Sequence, residues 1–83
     1  MNFRVHVRVL PRRGLLDPQG QAVEHALKAL NFEGAGNVHV GKAIEIDVAA
    51  ADEAAARAAA KAMCDKLLAN PVTEDYQIEV EAR

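Results

Sequence analysis

Residues 3–9 read Phe-Arg-Val-His-Val-Arg-Val, a strict alternation of apolar and basic side chains. Successive side chains of a β-strand point to opposite faces, so Phe3, Val5, Val7 and Val9 share one face and Arg4, His6 and Arg8 the other. A slip of one residue would turn the whole apolar set into water. The segment must therefore be a half-buried strand with a basic outer face, and any fold open to this chain has to supply an apolar layer on one side only. Pro11 ends the strand, and Arg12-Arg13-Gly14 makes a basic turn.

The rest of the chain is organised around that strand. Asp17 is a good N-cap, because its carboxylate accepts orphan amide hydrogens of a first helical turn, and Pro18 suits the first helical position. Val23, Ala26, Leu27 and Leu30 follow at i, i+3, i+4 and i+7, which predicts an amphipathic helix to about residue 31. Gly20 weakens that helix relative to alanine, so close approach of another backbone is expected there. Gly34-Ala35-Gly36 is a flexible connection. Val38, Val40, Ile44, Ile46 and Val48 then keep one register, which predicts one long strand over 38–48, bent at Gly41 with Lys42 exposed. A two-residue hairpin at Gly41-Lys42 would pair apolar with polar side chains on one face and is rejected, whereas a three-residue loop remains open. Residues 52–69 form a second helix, opened by Asp52-Glu53 and stopped by Asn70-Pro71. Its buried stripe is expected to be Ala56, Ala59, Ala60, Met63, Leu67 and Leu68. The last strand carries Tyr76, Ile78 and Val80 inward, with Asp75, Gln77, Glu79 and Glu81 outward. Placed beside the first strand, those glutamates face its basic side chains. The order predicts an α+β two-layer sandwich: a three- or four-stranded, largely antiparallel sheet with both helices on one face.

At 83 residues the chain makes one domain, spanning 1–83, and a domain this small needs help to be stable. Cys64 is the only cysteine, so neither an intrachain disulfide nor a cysteine-rich zinc site is available. Self-association is the remaining route. A formal net charge of −2 and only three aromatic residues (Phe3, Phe32 and Tyr76) argue against nucleic-acid binding. No apolar run is long enough to span a bilayer, and the N-terminus lacks a signal peptide's apolar stretch. A lone free cysteine fits the reducing cytoplasm.

Few residues offer chemistry. Gly41-Lys42 resembles only the tail of a phosphate loop, and an exposed lysine at a strand bend is the simpler reading. Cys64 sits mid-helix without a turn that would activate it, which predicts an inert thiol. His6, His25 and His39 lie on different segments without metal-ligand spacing, so no metal is expected. Arg12-Arg13 before a helix start is the one arrangement that could attract a phosphate, but Asp17 opposes an anion there and a solvated basic turn is the simpler reading.

Three blocks in order carry a resemblance. The first is Leu16-Asp17-Pro18-Gln19-Gly20 with Ala22-Val23-Glu24-His25-Ala26-Leu27. The second is Val38-His39-Val40-Gly41-Lys42 leading into Ile44-Glu45-Ile46. The third runs from Met63 to Val72 and on through Thr73-Glu74-Asp75-Tyr76 to Glu79-Val80-Glu81. Together they are similar to the PurS family, the small subunit of phosphoribosylformylglycinamidine synthase, over nearly the whole chain. The departures are the Arg12-Arg13 turn and the alanine-rich run from Ala49 to Ala62.

The resemblance implies a ferredoxin-like fold and an accessory, non-catalytic role in purine biosynthesis. Such subunits bridge a large synthetase subunit and a glutaminase subunit and help carry ammonia between them. The assembled enzyme converts formylglycinamide ribonucleotide, ATP and glutamine to formylglycinamidine ribonucleotide. ATP and magnesium would be used by the large partner, with no cofactor on this chain, which is expected to form a homodimer or homotetramer. Asp17, Pro18, Gly20, Gly41, Lys42, Asn70, Glu74 and Tyr76 are the candidate partner-interface residues. Two alternatives follow from shape alone: a small acylphosphatase-like phosphatase using the Arg12-Arg13 turn, and a ferredoxin-like ligand-sensing module.

Overall fold

A computed structural model describes all 83 residues. Strand β1 (Asn2–Pro11) is followed by helix α1 (Pro18–Ala29), strand β2 (Lys42–Ala49), helix α2 (Glu53–Met63), a π-helical turn over Cys64–Leu68, and strand β3 (Glu74–Ala82). The three strands form one antiparallel sheet in the order β2-β1-β3, with the alternating first strand at its centre.

The register explains why that strand dominates the sequence. Val5 lies between Ile46 and Val80, and Val7 between Ile44 and Ile78, so one face is apolar across all three strands. Phe3, Val5, Val7 and Val9 are at most 3% exposed. On the other face His6 lies between Glu45 and Glu79, and Arg4 between Asp47 and Glu81. The basic stripe is thus flanked by carboxylates from both neighbours, as expected of cross-strand pairs. The contacts that form are Arg4 with Asp47 at 3.3 Å, and His6 with Glu45 at 3.6 Å and Glu81 at 3.7 Å.

Helix α2 closes the apolar face. Asp52 caps it by accepting from the Ala55 amide at 2.8 Å. Ala56, Ala60 and Cys64 are fully buried, and Ala59, Met63 and Leu68 pack at the margin. Small side chains let the helix lie close over β1 and β3. The expectation of Leu67 in the buried stripe is corrected: it is 82% exposed, whereas Cys64 is fully buried in the core. The π turn after Met63 takes more residues per turn than an α-helix, so the 3.6-residue period that places Leu67 inward no longer applies.

The long strand expected over 38–48 is shorter. β2 begins at Lys42, and residues 38–40 have no regular secondary structure and no partner in the sheet. The break falls at Gly41, where a methyl group would collide with the Val9 carbonyl oxygen. A bend there is what the sequence predicts; the missing pairing follows from how 38–40 attach elsewhere, described below.

The two-helix α+β architecture stands, with an uneven distribution of packing. α2 packs on its own sheet, while α1 makes no extensive contact with the sheet or with α2. Its only buried residue is Gly20. The radius of gyration is 16.1 Å, against about 12 Å for a compact domain of this length. The longest dimension is 50 Å. A ten-residue strand spans only about 33 Å, and the excess matches the ~18 Å length of a twelve-residue helix.

Candidate partner interface

The candidate residues gather at one end of the sheet, where β1 leaves and where β2 and β3 begin. Val9 is opposite Lys42 on one side and Tyr76 on the other. Two hydrogen-bonded clusters flank this end.

The first cluster is built on Asp17. Its Oδ1 accepts from the Gly20 amide at 3.0 Å, the N-cap bond that the sequence predicts. Its Oδ2 reaches across the chain, accepting from the Val40 amide at 3.1 Å with His39 Nδ1 at 3.3 Å. One carboxylate therefore fastens the helix start to the segment that precedes Gly41. Its side chain is 9% exposed. The Gly20 amide, joined by the Val40 amide and His39 against some burial, holds the Asp17 carboxyl below its usual value. Glu24, one helical turn on, accepts from the Val38 amide at 3.5 Å, and that amide together with Lys28 lowers its carboxyl too. Between them Gly20 sits so close to the Val38 carbonyl that a Cβ would not fit. The backbone approach expected at Gly20 is thus present, and its cause is residues 38–40 lying along the first turns of α1. Their amides are taken up by Asp17 and Glu24 instead of a neighbouring strand. Pro18 occupies the first helical position, and Lys42 is exposed at the start of β2.

The second cluster is the turn between the π turn and β3. Asn70 Oδ1 accepts from the Val72 amide at 2.9 Å, and the Asn70 carbonyl accepts from the Glu74 amide at 2.8 Å. Glu74 Oε1 in return accepts from the Asn70 amide at 2.8 Å. The two side chains lock a tight reciprocal turn, as Asx-type turns do. The Tyr76 hydroxyl donates to Asp65 Oδ1 at 2.8 Å. That bond lowers the Asp65 carboxyl and raises the Tyr76 phenol.

Arg12 is the residue whose role the sequence left unread. Its guanidinium donates to the Pro71 carbonyl and pairs with Asp75 at 3.2 Å, while its amide donates to the Thr73 carbonyl at 2.9 Å. The turn is therefore a brace between β1 and the 70–75 loop. With Asp75 beside Arg12, it does not form a free two-arginine cradle for a phosphate. The only sequence signal was the pairing of a basic turn with an acidic segment some sixty residues later, which periodicity does not connect.

Other chemistry is sparse. Cys64 is buried, and burial foremost raises its thiol, which disfavours a nucleophile. No group of three or more histidine, cysteine, aspartate or glutamate side chains converges where a metal could sit. No helix is long and apolar enough to cross a membrane. What the sheet end presents is a hydrogen-bonded surface with an exposed lysine, open to contact with another macromolecule.

Comparison with known proteins bears on which one. Residues 4–82 match the model of the family described as PurS, phosphoribosylformylglycinamidine (FGAM) synthase. The chain is 42% identical over 79 residues to phosphoribosylformylglycinamidine synthase subunit PurS of Bacillus subtilis, covering 95% of this chain and 93% of that one. It superposes on the crystal structure of Methanocaldococcus jannaschii PurS with a TM-score of 0.86 at 34% identity, covering 98% of both chains. It also superposes on a chain of the Thermotoga maritima PurLQS structure with a TM-score of 0.88 at 29% identity, covering 96% of this chain and 98% of the other. Sequence and fold agree over essentially the full length, and the chain belongs to the PurS family of FGAM synthase subunits.

Proposed function

We propose that this chain is the accessory, non-catalytic subunit that joins a large synthetase subunit to a glutaminase subunit and supports ammonia transfer between them. The observation that carries the reading is the full-length match to a chain solved within a PurLQS structure, where PurS stands beside the other subunits. In this reading the complex converts formylglycinamide ribonucleotide, ATP and glutamine to formylglycinamidine ribonucleotide. ATP and magnesium act on the large subunit, and the chain works in the cytoplasm as a homodimer or homotetramer. The chain's own residues position surfaces and break no bonds.

Asp17, Pro18, Gly20, Gly41, Lys42, Asn70, Glu74 and Tyr76 are the interface in this proposal, with two kinds of role. Asp17, Gly20, Gly41, Asn70, Glu74 and Tyr76 hold the chain in place, since their polar groups or their missing side chain are used within it. Pro18 and Lys42 lie on the surface and are free to touch a partner.

The test is reconstitution of the large and glutaminase subunits with and without this chain. Glutamine-driven amidine formation should require it, while ammonia-driven activity of the large subunit should not. Equal glutamine-driven rates without the chain would refute the role. Lys42→Ala should weaken assembly on size exclusion, and wild-type assembly would remove Lys42 from the interface.

A further inference from the structure

The connection from α2 to β3 carries two large apolar side chains that the core leaves out. Leu67, in the π turn, is 82% exposed, and Val72, in the turn that follows, is 73% exposed. A π turn is rare and falls frequently at functional positions. Here the Ala69 amide donates to the Cys64 carbonyl, so that Cys64 and Ala69 are buried while Leu67 between them faces solvent.

This connection is braced from both ends. Glu74 accepts from the Asn70 amide, and Asn70 Oδ1 accepts from the Val72 amide. Arg12 ties Pro71, Thr73 and Asp75 to the end of β1. The bonds use backbone and polar groups and leave the Val72 side chain in water. Single apolar side chains scattered over a surface need no explanation. Two of them held outward on one braced turn are different, because an anchor fixed before contact loses little freedom on binding.

The charges at this end of the sheet indicate what meets the turn. Its carboxylates are engaged within the chain: Asp65 by Tyr76 and Lys61, Glu74 by the Asn70 amide, and Asp75 by Arg12. Three exposed cations there, Arg13, Lys42 and Lys66, make no ion pair. Lys66 precedes Leu67, and Arg13 follows Arg12, whose amide meets the Thr73 carbonyl next to Val72. Lys42 lies across β1, opposite Val9. The charge left uncompensated around the two apolar side chains is therefore positive. A second copy offering the same end would set cations against cations, so the matching surface belongs to a different protein and is acidic.

We propose that the 67–72 turn is a docking anchor for a heterologous protein subunit. Leu67 and Val72 enter an apolar socket on that subunit, and carboxylates on its rim face Arg13, Lys42 and Lys66. This rests on the reading that the chain joins two other subunits, and it supplies the surface that holds one of them. An apolar centre within a polar, charged rim is how protein interfaces are commonly built. The rim steers and orients the approach, and the two apolar side chains retain the partner.

Binding of the purified chain to the large synthetase subunit and to the glutaminase subunit, singly and together, tests this separately from activity. Leu67→Ser and Val72→Ser should each raise the dissociation constant for one of the two subunits at least ~10-fold. The urea midpoint and the sedimentation of the chain alone should stay at their wild-type values. Leu67→Met, which keeps an apolar side chain, should restore binding. Lys66→Glu should slow association several-fold, and that loss should shrink as salt is raised. Wild-type dissociation constants in both serine variants would overturn the anchor, as would a wild-type chain that binds neither subunit. Weaker binding accompanied by a lower urea midpoint would show that the turn acts only through the fold, and would overturn it too. If the serine variants bind normally while glutamine-driven activity requires the chain, only this inference falls. If they bind weakly while that activity never needed the chain, only the bridging role falls.

Discussion

The two helices differ by one residue in length, and their fates are opposite. α2, in which seven of eleven residues are alanine, buries Ala56 and Ala60 completely and leads into a buried Cys64. α1 carries the larger apolar side chains, and within its own chain it buries nothing but a glycine. Side-chain hydrophobicity therefore did not decide which helix is covered. α2 is short-linked to a sheet it can lie on closely, and its small residues permit that approach. α1 is committed by its polar attachments to residues 38–40, so its apolar stripe has no partner in the same chain. The difference teaches that an amphipathic pattern fixes which face of a helix needs covering and leaves open what covers it.

The sharpest way to break this contrast is to spoil the close fit of α2. Ala60→Leu adds a branched side chain where nothing is exposed, and should cost about 1–3 kcal/mol, seen as a lower urea midpoint. A midpoint unchanged from wild type would mean that α2 is not closely packed. A smaller effect is expected at Gly20, where alanine would drive a methyl into the Val38 carbonyl and push 38–40 off the helix. Gly20→Ala should lower the urea midpoint by less than Ala60→Leu does.

Acid should loosen α1 before α2. The Gly20 amide, chiefly, holds the folded Asp17 carboxyl below its ordinary 3.8, so its contribution is complete above about that pH and is lost as pH falls through the lower folded value. Amide exchange at Gly20 and Val40 should accelerate in that window, and Asp17→Asn should abolish the pH dependence there. If α1 and α2 amides lose protection together at every pH, Asp17 is not the latch. The smallest effect belongs to Leu67: at 82% exposure, Leu67→Ser should change chain stability by no more than about 0.5 kcal/mol. A larger loss would show that the π turn does not hold it in solvent.

Much of the molecule follows from local rules that sequence expresses directly. The alternation of Phe3 to Val9 determined the central strand and both its faces, because a two-residue period has only one register that buries the apolar set. Asp17, Pro18 and Asp52 announced helix starts, because orphan amides need acceptors at fixed spacing. Gly20 marked a close backbone approach, because only a missing side chain permits it, and Gly41 marked a bend. Tertiary structure alone decided the partners in those approaches: Val38 for Gly20, Val9 for Gly41 and Asp75 for Arg12. It also decided the π turn that sends Leu67 outward, and the division of labour between the helices. These depend on contacts between residues distant in the chain, and a repeating pattern records which side of an element is apolar without recording what lies across from it.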